Sequence, residues 1–122
     1  MQYQITSDNM QVSASMEALT REKFLRIDHR FKDVESGSKW VRVVVNTVPG
    51  DQFEVKAHLN VKGKEWFSDE TDYSLESALI RTVEELIVMI EKDTDNSAKR
   101  TVELTAQDLL EDEIKNEENV VE

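Results

Sequence analysis

The sequence is poor in the residues that build covalent or metal-dependent sites: it has no cysteine, one proline, three glycines and two histidines among 122 residues. The absence of cysteine excludes disulfide scaffolds, zinc sites built on thiolates and thiol nucleophiles. His29 and His58 cannot form a metal site by themselves. The three glycines all fall in predicted turns, so no phosphate-binding glycine loop is indicated. We therefore expect neither a metal nor a cofactor.

Long apolar runs and catalytic arrangements are also missing. No run approaches the roughly 20 apolar residues of a membrane helix, and Met1 is followed by Gln, Tyr and Gln rather than by a signal region. Paired carboxylates such as Glu84 and Glu85 are adjacent in sequence, and adjacent residues on a helix do not face each other. We therefore expect a cytoplasmic, non-catalytic protein with no membrane partner and no small-molecule substrate.

The acidic residues are concentrated in the second half of the chain. The net charge is −11, and a chain this acidic ordinarily argues against a nucleic-acid partner. Residues 1–64, however, contain ten Lys/Arg and eight Asp/Glu and carry +2. Residues 65–92 carry −6 and residues 93–122 carry −7. Only the first part of the chain is mildly basic.

The length of 122 residues predicts one domain, or one domain with a tail. We predict a folded domain over residues 1–92 and an acidic tail over residues 93–122. A polar linker at 93–97 would precede one short helix from about Thr105 to Ile114. The final residues are expected to be disordered.

The predicted domain contains two kinds of segment that differ in the spacing of their apolar residues. Side chains that alternate between apolar and polar predict strands over residues 2–6 and 53–61, and a run rich in β-branched residues predicts a strand over residues 40–46. A short extended segment at residues 65–68 completes the set of four strands. Apolar residues three and four apart predict two helices, the first capped by Ser13 or Ser15 and the second by Ser74. The inward positions are Met16, Thr20, Phe24, Ile27 and Phe31 on the first helix and Leu75, Leu79, Thr82, Val83, Leu86 and Ile90 on the second. This order predicts an α+β fold, a two-layer β-α-β-β-β-α sandwich with both helices on one face of a four-stranded, mostly antiparallel sheet.

A cationic stripe lies beside the buried face of the first predicted helix. Lys23, Arg26 and Arg30 are spaced i, i+3 and i+7, and Lys32 follows at the end of the helix. Such a stripe can pair with phosphates. The alternative is a solvated helix flank in which Glu22 neutralises Arg26 at i+4.

Three apolar residues of the second predicted helix, Ile80, Ile87 and Val88, lie off its inward face. A helix that is apolar on more than one side is usually covered on more than one side. Three explanations stay open: a broad core stripe, docking of Leu109, Leu110 and Ile114 from the tail, and a surface for self-association or a partner.

Taken in order, residues 1–92 resemble the ribosome hibernation-promoting factors and ribosome-associated inhibitors of bacteria. The likeness rests on the opening MQYQIT, the helix at residues 16–31, the three-strand meander and the acidic stretch at residues 69–73 before a long helix. The acidic C-terminal extension is similar to that of the single-domain members.

This resemblance implies a non-catalytic factor that binds ribosomal RNA of the small ribosomal subunit, in the channel for messenger and transfer RNA, and stores idle ribosomes under stress. Basic residues of both helices make the contacts in that family. On the first helix this role carries over to Lys23, Arg26 and Arg30, whereas the second has Glu84 and Glu85 and keeps few cations. The predicted RNA-binding residues are Lys23, Arg26, Arg30, Lys32, Arg42, Lys56, Lys62, Lys64, Arg81 and Lys92.

Two other functions remain open on the residues alone. An acidic protein–protein adaptor would use the outer face of the second helix and the tail. A nucleic-acid mimic would use helix carboxylates that imitate phosphate spacing and occupy a basic site on another protein.

Overall fold

The computed structural model describes the backbone of residues 1–110 and the side chains of residues 1–94. The elements are β1 (Gln2–Thr6), α1 (Ala14–Arg30), a 3-10 turn (Ser36–Ser38), β2 (Lys39–Val48), β3 (Gln52–Val61), β4 (Lys64–Asp72) and α2 (Leu75–Leu110). This order confirms the predicted β-α-β-β-β-α arrangement. The chain divides into two compact units, Met1–Met89 and Ile90–Glu122.

The sheet has the strand order β1-β2-β3-β4. β1 is parallel to β2, whereas β2–β3 and β3–β4 are antiparallel. β1 and β2 can be parallel because the chain between them passes through α1, which supplies the long crossover that parallel neighbours need. The two-residue turn Lys62-Gly63 has φ values of 53° and 86°, the left-handed pair that fits the twist of a tight hairpin. The mostly antiparallel sheet is therefore confirmed.

The core lies between one face of the sheet and the two helices. Every second residue is buried over residues 39–45 of β2 and over residues 55–61 of β3, as period-2 alternation requires. α1 buries Thr20, Phe24 and Ile27. The buried apolar side chains of the first unit are Phe24, Ile27, Val41, Val43, Val45, Val55, Ala57, Leu59, Val61, Trp66, Ala78, Leu79, Val83 and Leu86. The predicted inward faces of both helices are thus confirmed, and Phe31 is half-buried and stacked on Trp66 with ring centroids 6.1 Å apart.

The two ends of α1 are fixed by polar side chains. At the start, the Ser13 hydroxyl accepts a hydrogen bond from the backbone N–H of Met16 at 3.2 Å, so the first of the two predicted caps is the one used. At the other end, the buried Lys39 ammonium donates to the Phe31 carbonyl at 2.8 Å and lies 2.8 Å from the Asp28 carboxylate. The hydrogen bond from the Lys39 ammonium to the Asp28 carboxylate holds the pKa of Asp28 below its usual value.

β4 is longer than predicted, because it continues through the acidic stretch to Asp72. Asp and Glu have low strand propensity, but tertiary context overrides this preference. In the structure, the backbone of this stretch pairs with β3, and the Arg81 side chain lies beside Glu70 and Asp72. Pairing and local charge neutralisation explain the additional strand residues.

α2 passes through residues 93–97, where the sequence predicted a linker. This segment has no glycine or proline to stop a helix, and its polar residues each cost less than about 0.7 kcal/mol in a helix. The Thr94 hydroxyl donates back to the Ile90 carbonyl at 3.0 Å. The predicted short helix from Thr105 is part of α2 as far as Leu110, and its end at Ile114 and the expected disordered end of the chain lie outside the described residues. The domain boundary at Lys92 stays a prediction.

Truncation after Lys92 is expected to change the melting temperature by only a few degrees, because the sheet and α1 lie in the unit that ends at Met89. Thermal melting followed by circular dichroism checks this. Aggregation, or loss of a cooperative transition, would instead show that the tail covers Ile80, Ile87 and Val88.

Candidate nucleic-acid interface

The exposed cation row consists of three cations: Arg26 and Arg30 on α1, and Lys32, which lies two residues beyond the helix. All three are exposed and make no ion pair within 4 Å among the side chains of residues 1–94. The pair Glu22–Arg26, which would have neutralised the row, is not formed. Arg30 also lies in the last turn of α1, where a cation is favoured by the helix dipole. Positive charges of like sign at i and i+4 repel mildly, so an anionic partner would gain from this row.

Lys23 does not extend this row as a free cation. Its ammonium lies 2.9 Å from the carboxylate of Glu76, in the first turn of α2, and 3.8 Å from that of Glu22. The hydrogen bond to Glu76 raises the pKa of Lys23. Lys23 therefore links the two helices, a role that the spacing within α1 could not show.

Arg81 is also engaged within the chain. Its guanidinium lies 3.2 Å from Glu70 and 3.5 Å from Asp72, and it donates to the Thr71 carbonyl at 3.4 Å. One turn further along α2, Glu84 and Glu85 are exposed. The described outer surface of α2 is accordingly acidic at the positions where the resemblance implied cations.

Two carboxyl groups, Glu70 on β4 and Glu85 on α2, form a hydrogen-bonded pair between these elements. Glu85 accepts a hydrogen bond from the Ser68 hydroxyl at 2.5 Å. The pKa of Glu70 is raised chiefly by a hydrogen bond with Glu85, then by burial and by the charge of Glu85, and the guanidinium of Arg81 lowers it less. The surroundings of Glu70 therefore disfavour its ionised form.

Glu70→Gln is expected to be more stable than the wild type at about pH 7, by less than about 1 kcal/mol because the pair lies near the surface. Since the pKa of Glu70 is raised in the fold, its carboxyl stabilises the fold below the usual glutamate pKa, and this contribution is lost as pH rises through the raised value. Urea unfolding at about pH 7 and about pH 4 measures the difference, which should shrink at the lower pH. Glu84→Gln is the control, and a Glu70→Gln protein that is less stable at neutral pH would show that Arg81 dominates.

The remaining predicted RNA-binding residues lie elsewhere. Arg42 and Lys56 are exposed on the sheet face opposite the helices, and Lys62 is exposed in the β3–β4 turn. Lys64 lies 5.9 Å from the Trp66 ring centre, and Lys92 is exposed in the second unit. Within the first unit, the structure therefore does not bring the predicted RNA-binding residues onto one surface.

The apolar residues of α2 separate into two groups. Ile87 is half-buried, whereas Ile80 is 37% and Val88 is 53% exposed. A broad core stripe accounts for Ile87. The partner surface predicted at Ile80, Ile87 and Val88, and its alternative, docking of the tail there, stay predictions.

Two further sets of residues were missed by the sequence reasoning. Lys39 was not recognised as the buried partner of Asp28. The other set is a group of rings on the outer sheet face, Trp40, His58 and Phe67, which becomes visible only when strand register is known. Among the side chains of residues 1–94, no group of three or more His, Asp or Glu residues could hold a metal ion. No helix of the described part of the chain is long and apolar enough to cross a membrane.

Comparison with known proteins identifies the family. Residues 3–97 match the family model of the sigma 54 modulation protein / S30EA ribosomal protein family, and the chain belongs to that family. This confirms the resemblance seen in the sequence. A comparison with curated protein sequences gives no match.

Solved structures with the same fold include two bacterial proteins. The N-terminal domain of Protein Y from Thermus thermophilus has a TM-score of 0.65 and 20% identity, covering 75% of this chain and 98% of that domain. A ribosomal subunit interface protein from Coxiella burnetii has a TM-score of 0.62 and 13% identity, covering 78% of this chain and 99% of its own.

Proposed function

We propose that this chain is a non-catalytic, cytoplasmic factor that binds the small ribosomal subunit and keeps it idle, with the exposed cation row contacting ribosomal RNA phosphates. Family membership supports a ribosome-associated role, and one of the similar structures is described as a ribosomal subunit interface protein. The observation that carries the proposal is that Arg26, Arg30 and Lys32 remain exposed without an ion pair among the described side chains, although the chain as a whole is strongly acidic.

The number of cations in the exposed cation row sets the expected salt dependence of binding. Each phosphate contact adds about 0.7 to 0.9 to the steepness with which log affinity falls against log salt concentration. Three contacts would weaken binding about 20- to 40-fold between about 50 mM and 200 mM salt. The acidic outer surface of α2 and the tail oppose binding, because carboxylates near an RNA phosphate repel it. We therefore propose a salt-sensitive interaction that reads shape and charge rather than base sequence.

A protein partner on α2 is the second candidate. It is favoured by Ile80 and Val88, which are exposed, with Glu84 exposed between them on the same helix. An adaptor or nucleic-acid mimic of this kind would bind ribosomes no better than any other acidic protein.

Co-sedimentation with purified ribosomal subunits separates the two candidates. We expect the full chain to pellet with small subunits at about 50 mM salt and to be released at about 200 mM, and not to pellet with large subunits. Removal of the residues after Lys92 should strengthen the interaction, because this segment carries −7. The ribosomal proposal fails if neither form pellets with small subunits at the lower salt, and the α2 candidate then stands.

Glu76→Gln is expected to strengthen binding to the small subunit by a few fold, because it removes the nearer of the two described carboxylates beside the Lys23 ammonium and leaves Glu22 at 3.8 Å. The same co-sedimentation assay measures the effect. Glu17→Gln, in the first turn of α1, makes the same charge change at a residue that does not pair with Lys23 and lies about 9 Å from it along the helix axis, and it serves as the control. Equal effects of the two variants would mean that only net charge matters.

A further inference from the structure

The outer face of the sheet carries three rings in contact, an aromatic row formed by Trp40 on β2, His58 on β3 and Phe67 on β4. The ring centroids of Trp40 and His58 are 4.8 Å apart, edge to face, and those of His58 and Phe67 are 4.2 Å apart and stacked. The His58 Nε2 atom lies 2.7 Å from the Glu65 carboxylate, which orients the central ring. The row crosses three neighbouring strands on the side of the sheet away from α1.

This row is not fully covered by the protein. Cross-strand ring pairs stabilise a sheet by roughly 0.2 to 1 kcal/mol each, which accounts for part of the arrangement. Phe67 nevertheless stays 60% exposed, at a position where strand alternation would place a polar residue. An exposed flat ring beside two others provides a stacking surface for another planar group.

Two cations border the aromatic row. The Arg42 guanidinium lies 5.1 Å from the Trp40 ring centre, and its Nε donates to Gln4 at 2.9 Å. Lys56 is exposed on the next strand, and its register partner on β4 is Asp69. Neither cation has a carboxylate within 4 Å among the described side chains. Arg42, Lys56, His58 and Phe67 line an open depression of about 510 Å³, which the acidic residues Asp69 and Glu85 also border.

We infer that this outer sheet face binds unpaired nucleotides of single-stranded RNA, with bases stacking on Phe67 and Trp40 and phosphates directed to Arg42 and Lys56. Every base presents a π-face, and stacking on aromatic side chains beside cations is the common chemistry of single-strand binding. The carboxylates of Glu65 and Asp69 lie on the β4 side, so the phosphates should run on the β2 side, near Arg42. A peptide or a second copy would contact the rings, whereas RNA also supplies phosphates to Arg42 and Lys56, neither of which has a carboxylate within 4 Å among the described side chains.

This inference does not depend on the proposed function, because the exposed cation row and the aromatic row lie on opposite sides of the sheet. The test is the fluorescence anisotropy of a labelled oligouridine of about ten nucleotides with the full chain at low salt. Phe67→Ser is expected to weaken binding by about 5- to 100-fold, and Arg42→Gln should also weaken it. Tyr73→Ser changes another ring, which is 72% exposed and outside the row, and should leave binding unchanged. The melting temperature of each variant shows whether it is folded.

Several outcomes separate this inference from its competitors. The double variant Arg26→Glu/Arg30→Glu should keep oligouridine binding even where it loses the small subunit, which distinguishes failure of one proposal from failure of the other. An RNA duplex of equal length that competes as well as oligouridine would overturn base stacking. So would a folded Phe67→Ser protein that binds like the wild type, or a wild-type chain that binds no oligouridine. A concentration-dependent dimer abolished by Phe67→Ser in sedimentation velocity, without RNA binding, would assign the face to a second copy.

Discussion

Reversing Arg26 and Arg30 to glutamate is expected to abolish co-sedimentation with the small ribosomal subunit while leaving the fold intact. The two residues are exposed and have no ion pair among the described side chains, so their replacement should change stability by less than about 0.5 kcal/mol. Two of the three phosphate contacts would be lost and two repulsive charges gained, which should lower affinity by orders of magnitude at moderate salt. Pelleting assays and thermal melting on the same preparations measure the two effects.

Lys99→Glu/Arg100→Glu provides the matched control, because it makes the same change in net charge in the second unit of the chain. It should reduce binding much less than Arg26→Glu/Arg30→Glu does. If both double variants lose binding equally, the interaction depends on net charge and the exposed cation row has no special role. If Arg26→Glu/Arg30→Glu still pellets, the row does not contact the subunit.

Lys39→Met is expected to destabilise the fold by about 2 to 3 kcal/mol, because it removes the buried partner of the Asp28 carboxylate, which is 29% exposed and keeps the N-terminal ammonium at 3.5 Å. Methionine preserves the apolar stem but leaves the Asp28 carboxylate and the Phe31 carbonyl without the ammonium that now lies 2.8 Å from each. For a domain of this size such a loss lowers the melting temperature by more than about 10 °C. Chemical denaturation and thermal melting both report it.

The pH dependence of this loss identifies its cause. The pKa of Asp28 is lowered by Lys39, so the pair stabilises the wild type above the usual aspartate pKa and this contribution is lost as pH falls through the lowered value. The difference between wild type and Lys39→Met should therefore shrink in acid. Asp28→Asn/Lys39→Met should recover part of the stability, and Lys56→Met, an exposed strand lysine, should change little. A constant difference at all pH values would point to lost packing instead of a lost ion pair.

The parts of the fold that could be predicted from the sequence are those encoded by neighbours along the chain. The spacing of Phe24 and Ile27 on α1, and of Val83 and Leu86 on α2, identified the buried faces because helical periodicity is local. Ser13 and Ser74 identified the helix starts because a cap bonds within the next turn.

The features that could not be predicted from the sequence depend on contacts between distant segments. Lys23 lies in a regular cationic spacing, yet its partner Glu76 is on another helix. Arg81 is likewise neutralised by a strand that precedes it. Trp40, His58 and Phe67 are unremarkable in their own strands and form a row only through the register of three strands. Charge spacing therefore predicted candidate cations, and tertiary pairing decided which of them stay free.

The most direct test of the account is the salt dependence of affinity for the small subunit, compared between the wild type and Arg26→Gln/Arg30→Gln. The plot of log affinity against log salt should be less steep for the variant by about 1.4 to 1.8, since each lost phosphate contact removes about 0.7 to 0.9 from the slope. Thermal melting should show the same fold for both proteins. Parallel plots for the two proteins would contradict the claim that Arg26 and Arg30 contact ribosomal RNA.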